Sequence, residues 1–97
     1  MRLLFVHQNF PGQYLHLEQH YAADKTHEIV AITDDANRRP AIVRTIRYAA
    51  PEQSARRIAG LAGHFVGHVA RAEAVAGEAE TLRRKGFVPD VILGHCG

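Results

Sequence analysis

The architecture of this chain is indicated by its opening, Met1-Arg-Leu-Leu-Phe-Val-His-Gln-Asn-Phe-Pro-Gly-Gln13. Residues 3–6 are continuously apolar, which is typical of a parallel strand that is covered on both faces. The Pro-Gly pair at positions 11 and 12 predicts a turn that opens a helix, because proline is accepted in the first helical turn. The polar residues 7–9 therefore fall at the carboxyl end of a buried strand, where open α/β sheets place their ligand sites.

The next elements are a helix and two strands. A helix is predicted from the apolar spacing of Leu15, Leu17, Tyr21 and Ala22, and it should end near residues 24–26. Residues 27–33 are rich in β-branched side chains and predict the second strand. Residues 42–48 have a mixed pattern that favours an edge strand. The connection before this third strand is shorter than the dozen or so residues of a parallel crossover, so an antiparallel third strand is an alternative.

The second half of the chain is predicted to be helical and then to return to the sheet. Helix formers dominate residues 52–84, as one long helix or as two helices with a bend. The predicted buried stripe of this region consists of Ile58, Leu61, Phe65, Val69, Ala72, Ala76, Ala79 and Leu82. Lys85 and Gly86 are predicted to cap the helix, and residues 90–94 form the fourth strand.

These elements predict one domain over residues 1–97, with an α/β, three-layer, Rossmann-like fold. Its four-stranded sheet is expected to be mostly parallel, with the strand order 3-2-1-4. The fourth strand has an apolar sequence but no predicted outer neighbour. Its backbone hydrogen-bonding groups and part of its apolar surface would therefore stay exposed. We therefore expect either that the chain is the leading piece of a larger protein or that it pairs with a second copy.

Composition excludes several functional classes. The net charge is only +2 and the 12 lysines and arginines are scattered along the chain, which argues against nucleic-acid binding. A single cysteine, Cys96, excludes an internal disulfide and favours the cytoplasm. No apolar run approaches the roughly 18 to 20 residues that a membrane helix needs.

Several residues that could carry chemistry have simpler interpretations. The histidine pairs His16 and His20, and His64 and His68, have helical spacing, but neither has an obvious third metal ligand. Asp34 and Asp35 end the second strand, where some nucleotide-binding folds hold a ribose, but turn formation is the favoured interpretation. A nucleophilic role for Cys96 beside His95 is disfavoured, because adjacent residues rarely face each other usefully.

The sequence resembles the N-terminal domain of bacterial family-four glycosyltransferases of the GT-B fold. The resemblance is carried by residues 3–13, by the helix and strand up to Thr33, by residues 43–48 and by residues 86–95, and the opening block is its strongest part. Members of this subgroup usually continue past the histidine with Pro-Gly-Trp-Gly-Glu, whereas this sequence has Cys96 and Gly97.

The resemblance implies half of a two-domain enzyme that transfers a sugar with retention of configuration. The donor would be a nucleotide sugar, the acceptor a glycan or other molecule, and the first domain would hold the acceptor. His95 would reach toward the transferred sugar as the catalytic residue. Neither a metal nor a cofactor is expected, and the protein would be cytoplasmic or peripheral at the inner membrane. The predicted substrate-binding residues are His7, Gln8, Asn9, Pro11, Gly12 and Gln13.

Two expectations complete this interpretation. The chain alone is not expected to catalyse transfer, because the donor-binding domain of such enzymes is absent from these residues. The competing hypothesis is a non-catalytic α/β module that binds an anion at its strand ends and oligomerises through its open sheet edge. Gly12 has a physical role in either case, since it exposes backbone N–H groups near a helix N-terminus.

Overall fold

The computed structural model describes residues 1–49 and 60–94, with side chains described outside 60–68. The elements are β1 Arg2–Val6, a short 3-10 helix Gly12–Tyr14, α1 Leu15–Ala22, β2 Glu28–Asp34, β3 Arg44–Tyr48, α2 Gly60–Arg84 and β4 Val91–Gly94. All four predicted strands are present, with ends shifted by one or two residues. The predicted helical interval 52–59 lies outside the described residues.

The four strands form one sheet in the order β3-β2-β1-β4. Each neighbouring pair is parallel, and Val6 at the end of β1 lies opposite both Ile32 of β2 and Gly94 of β4. The predicted order is confirmed. The antiparallel alternative for the third strand is wrong, since β2 and β3 pair in parallel with Val30 opposite Arg44.

Both faces of the sheet are covered, which produces the predicted three layers. One face packs against α2 through a cluster of Leu4, Val30, Ile32, Tyr48, Leu82 and Phe87. The other face packs against the 3-10 helix and α1 through a cluster of Leu3, Phe5, Phe10 and Ala31. Strand residues alternate between the two clusters because successive side chains of a strand point to opposite faces.

The short connection from β2 to β3 is held by buried polar contacts. Asn37 is buried, and its Nδ2 donates to the carbonyl of Phe10 at 2.7 Å and to Thr33 Oγ1 at 2.9 Å. Further along, the backbone N–H of Ile42 donates to Glu18 Oε2 at 3.0 Å. These contacts satisfy the polar groups of an irregular crossover without a helix, so a parallel strand can follow a short connection.

The first helix is confirmed, but the apolar residues whose spacing predicts it are not its most buried ones. Leu15 and Leu17 are 42% and 38% exposed, whereas the Glu18 side chain is only 1% exposed. The polar partner supplied by the β2–β3 connection explains this difference, because a buried carboxylate is tolerated when it accepts a hydrogen bond. Tyr21 packs against the cluster on this face.

We expect Glu18 to be a stabilising residue despite its charge. Glu18→Ala should lower the free energy of unfolding by about 1 to 3 kcal/mol, because it leaves the Ile42 N–H without its acceptor. Glu18→Gln retains a carbonyl oxygen at this position and should cost less. The neighbouring exposed residue is the control: Gln19→Ala should change stability by about 0.5 kcal/mol at most. Equal effects of the variants at positions 18 and 19 in chemical denaturation would contradict this role.

The long helix is confirmed over its described part, and its predicted buried stripe is confirmed at Ala79 and Leu82 only. Ala74, Val75, Ala79 and Leu82 pack on the core, whereas Val69, Ala72 and Ala76 are exposed. Ile58 lies outside the described residues, and the side chains of Leu61 and Phe65 are not described. The face that packs therefore coincides with the predicted stripe near the C-terminal end of the helix and departs from it at residues 69–76.

The predicted helix cap at Lys85-Gly86 is confirmed. Gly86 has a φ of +94°, and its N–H donates to the carbonyl of Arg83 at 3.0 Å. The N–H of Phe87 donates to the carbonyl of Leu82 at 2.9 Å, which completes a Schellman motif. Phe87 and Leu82 are both buried in the α2 cluster, so the same motif ends the helix and anchors it to the sheet.

Candidate functional site

The predicted binding residues of the turn 7–13 lie at the carboxyl edge of the sheet. The parallel pairing of β1 with both β2 and β4 places the turn 7–13 between the ends of these two strands. Gly94, the last residue of β4, lies opposite Val6. His95 follows Gly94 but lies outside the described residues, so its catalytic role stays a prediction.

His7 is buried at this edge, with 7% of its surface exposed. Its backbone N–H donates to the carbonyl of Ile32 at 3.1 Å, which continues the ladder to β2. Its ring nitrogen Nδ1 accepts the N–H of Asn9 at 2.9 Å, and the ring packs edge-on against Tyr14 with centroids 5.7 Å apart. An imidazole that accepts at Nδ1 carries its proton on Nε2 when neutral. The geometry makes His7 a positioning residue for the turn.

Gly12 has two separate reasons to be glycine. Its φ is +47°, in the left-handed region that side chains disfavour. A Cβ at this position would also lie 2.9 Å from Cε1 and Nε2 of His7. The His7 ring therefore fills the space beneath the turn, and the backbone of Gly12 covers it.

The other predicted binding residues differ in exposure. Asn9 and Gln13 are exposed, Gln8 is partly exposed, and Pro11 is buried after a cis peptide bond with Phe10. Exposed amide side chains at the rim of a turn can donate and accept hydrogen bonds with sugar hydroxyls. Asn9 and Gln13 are thus best placed to contact a ligand, while Pro11 shapes the turn.

A polar network that the sequence patterns do not indicate ties this turn to β2. Thr33 Oγ1 donates to the carbonyl of Gln8 at 3.0 Å and accepts the N–H of Phe10 at 3.2 Å. Asn37 adds its contacts to Phe10 and Thr33, and its Oδ1 accepts the N–H of Arg39 at 3.0 Å. The buried hydroxyl and amide hold the turn against the sheet, so the site is built on a supported backbone.

The turn interpretation of the acidic pair agrees with the structure. Asp34 Oδ1 accepts the N–H of Ala36 at 2.8 Å, and the N–H of Asn37 donates to the carbonyl of Asp34 at 3.0 Å. These contacts form a capped turn directly after β2. Asp34 therefore orders the loop through a contact of its own carboxylate.

Tyr48 ends β3 at the same edge, on the α2 side, where it lies opposite Asp34 in the ladder. Burial raises the pKa of its hydroxyl above the ordinary value near 10, and the negative charge of Asp34 raises it further. The positive charge of Arg71 on α2 acts in the opposite direction. The ionised form of Tyr48 is therefore disfavoured in the folded protein.

This raised pKa predicts a loss of stability in alkali. As the pH rises above about 10, the unfolded chain releases the tyrosine proton before the folded protein does. The contribution of Tyr48 to the free energy of unfolding is fully present below the pKa that this tyrosine has in the unfolded chain. It is lost as the pH rises through the pKa that it has in the folded protein. Stability measured by denaturation between pH 8 and 11.5 should fall less steeply for Tyr48→Phe than for the unmodified chain. Tyr14→Phe is the control, and a Tyr48→Phe curve with the unmodified slope would contradict this assignment.

Metal ligands do not cluster in the part of the chain that the structure describes. No group of three or more His, Cys, Asp or Glu there could hold a metal ion. His16 and His20 are exposed on α1, while the side chains of His64 and His68, and Cys96, lie outside what is described. None of the described helices has both the length and the apolar composition that a membrane span requires.

Surface depressions formed by described residues lie away from the carboxyl edge. One of about 400 Å³ lies at the amino edge, beside Arg2, Glu28 and Asp90. An apolar one of about 310 Å³ lies between α2 and the outer side of β4, and Leu82, Phe87 and Ile92 are among its lining residues. Ligand sites of open parallel sheets lie outside the carboxyl ends of the strands, so we retain that edge as the candidate site.

The parallel sheet, its order and the helices on both faces define a Rossmann-like α/β domain. The model of the glycosyl transferase family 4 group matches residues 25–97 of this chain. The chain therefore belongs to that family, and a general role in glycosyl transfer follows. No curated protein and no solved structure matches it significantly. The matched residues begin after the turn 7–13, so the opening block, expected to be the strongest part of the resemblance, is not included.

Proposed function

We propose that the chain is the acceptor-side, N-terminal part of a retaining glycosyltransferase with two facing Rossmann-like domains. It takes part in moving a sugar from a nucleotide-sugar donor to a glycan or other acceptor. Family membership supports the general reaction. The two-domain GT-B arrangement, the stereochemical outcome and a cytoplasmic or membrane-peripheral location are parts of the proposal.

The observation that carries this proposal is the pairing at the carboxyl edge. β1 lies between β2 and β4, and Val6 faces Gly94 across the ladder. The ends of these two strands therefore lie about one strand spacing apart, roughly 5 Å. Under this proposal one ligand contacts the turn 7–13 and the end of β4 together.

The exposed residues of this edge are proposed to contact the ligand, and the buried ones to hold the shape of the turn. Asn9 and Gln13 offer amide groups to sugar hydroxyls, and Gly12 offers its backbone next to the short helix. His7 and Pro11 hold the shape of the turn. His95 would hydrogen-bond the transferred sugar, since a neutral imidazole can both donate and accept.

We predict that these 97 residues bind substrates weakly and show no turnover alone. The donor-binding half of the proposed enzyme supplies most contacts to the nucleotide diphosphate. The test is a transfer assay with a panel of nucleotide sugars and glycans, run beside calorimetric titration of the same ligands. Asn9→Ala should weaken binding several-fold, while Thr26→Ala at the opposite edge should not. Turnover by the chain, or equal effects of both variants, would contradict the proposal.

A non-catalytic assembly module remains the second candidate because of β4. This strand is an edge of the sheet, and its Ile92 is 61% exposed. Exposed apolar edge strands are templates for pairing with another chain. Sedimentation equilibrium separates the two functions: a stable oligomer without sugar affinity favours the module, and a sugar-binding monomer favours the enzyme.

A further inference from the structure

Three arginines converge on the connection from β2 to β3 at the carboxyl edge. Arg38 donates to the carbonyl of Asp35 at 2.5 Å, Arg39 to the carbonyl of Asn9 at 3.4 Å, and Arg47 to the carbonyl of Asn37. All three side chains are exposed. Each guanidinium has five N–H donors, so each retains donors after its contact with the backbone.

These cations have no carboxylate partner among the residues that the structure describes. The ion pairs found there join Arg2 to Glu28, His27 to Asp24, and Arg83 and Arg84 to Glu80. Asp34, the carboxylate that precedes the loop, is turned toward the N–H of Ala36. An exposed guanidinium that no described carboxylate neutralises is available to a bound anion.

The same network positions two of these cations beside the candidate site. The N–H of Arg39 donates to Asn37 Oδ1, and Arg47 donates to the carbonyl of the same asparagine. Arg39 also reaches the carbonyl of Asn9, which belongs to the turn 7–13. Arg39 is therefore held at the rim of the turn 7–13 and Arg47 at the adjoining β2–β3 connection. The planar fork of a guanidinium matches the geometry of an oxyanion.

The position of the arginines within the site indicates whether they bind the donor or the acceptor. Arg39 and Arg47 lie toward β2 and β3, whereas Gly94 ends β4 on the other side of β1. The proposed function places the transferred donor sugar on the β4 side. An oxyanion held by Arg39 then belongs to the acceptor.

We propose that Arg39 and Arg47, with Arg38 beside them, form an oxyanion subsite that selects an acceptor bearing a phosphate or carboxylate group. This inference rests on the proposed function, because it assigns the acceptor to this half of the site. Arg39 is the main test residue, since it is exposed and its side chain makes one hydrogen bond, of 3.4 Å, within the described part of the chain.

The experiment measures dissociation constants of four probes by calorimetry or amide chemical shifts: glucose, glucose 6-phosphate, glucuronate and uridine diphosphate. At least one of the two anionic sugars should bind about tenfold more tightly than glucose. Arg39→Gln should remove most of this preference and leave the affinity for glucose unchanged. The two anionic sugars distinguish a phosphate group from a carboxylate group as the preferred partner.

Arg44→Gln is the matched control, because it removes the same charge from an exposed position at the other end of β3. It should change each dissociation constant by less than about twofold. Arg47→Gln should have the same effect as Arg39→Gln, with folding checked from the amide spectrum because Arg47 contacts Asn37.

Equal effects of Arg39→Gln and Arg44→Gln would overturn the subsite. Weakening of uridine diphosphate instead would assign the cations to the donor and overturn it too. If none of the sugars bound, the proposed function itself would be contradicted.

Discussion

Replacing Gly12 by alanine is expected to lower the free energy of unfolding by about 2 to 4 kcal/mol. Two costs add at this position. The φ of +47° is strained for any residue with a Cβ, and the new methyl group would lie 2.9 Å from the His7 ring. Because His7 is buried beneath the turn, its ring has little room to move, and the turn must shift instead.

Two other glycines serve as controls for this substitution. Gly86 has a φ of +94° but nothing within 4 Å of an added Cβ, so Gly86→Ala measures backbone strain alone, about 1 to 2 kcal/mol. Gly77 lies within α2 with open space around it, so Gly77→Ala should stabilise the protein by about 0.5 to 1 kcal/mol. Chemical denaturation of the three variants should therefore rank Gly12→Ala as the most damaging.

A double-mutant cycle separates the contact with His7 from the strain. In a His7→Ala background the ring is gone, so Gly12→Ala should cost only about 1 to 2 kcal/mol, the strain of its φ. The same cost in both backgrounds would show that the His7 ring does not occupy the space beneath Gly12.

Asn37→Ala is expected to cost about 2 to 4 kcal/mol, because it removes the partners of several buried groups at once. The carbonyl of Phe10, the hydroxyl of Thr33 and the N–H of Arg39 each lose a hydrogen bond. The turn 7–13 should loosen together with the β2–β3 connection, so amide exchange should quicken in both.

The control for Asn37 is the exposed asparagine of the turn 7–13. Asn9→Ala should change the free energy of unfolding by about 0.5 kcal/mol at most, because its side chain is exposed. It should nevertheless weaken ligand binding under the proposed function. A stability loss at Asn37 no larger than that at Asn9 would show that the network does not support the turn.

The central position of β1 could be predicted because a local apolar run indicates it. The run 3–6 indicates a strand that is buried on both faces, and Leu3, Leu4 and Phe5 are indeed buried on alternate faces. The helix cap at Gly86 could also be predicted, since a glycine followed by a proline limits where a helix can end.

The direction of β3 and the buried face of α1 could not be predicted, because both depend on polar contacts between distant segments. Length rules for crossovers favour an antiparallel strand after a short connection, but Asn37 and Glu18 satisfy the groups that such a connection leaves unpaired. A glutamate at a helical position has no apolar signal, so its burial at Glu18 follows only from its tertiary partner.

Some features of the candidate site could likewise be predicted from the sequence, and others could not. Its place at the carboxyl edge follows from the strand pattern, and Gly12 stands out as a turn glycine. Thr33 and Asn37 have no such signal, since a threonine in a strand and an asparagine in a turn are ordinary. Asn37 does follow the residues predicted to form a turn after the second strand, so its place in a loop could be predicted but its burial could not.

The most direct test of the proposed site is an amide chemical-shift map recorded while the chain is titrated with the nucleotide sugars and glycans. Ligand should shift the amides of Gln8, Asn9 and Gln13 together with Gly94, because β1 and β4 end side by side. The amides of Arg2 and Glu28 at the opposite edge should stay unchanged. Shifts confined to that opposite edge, or shifts in the turn 7–13 without any at Gly94, would contradict a shared sugar site at the ends of these two strands.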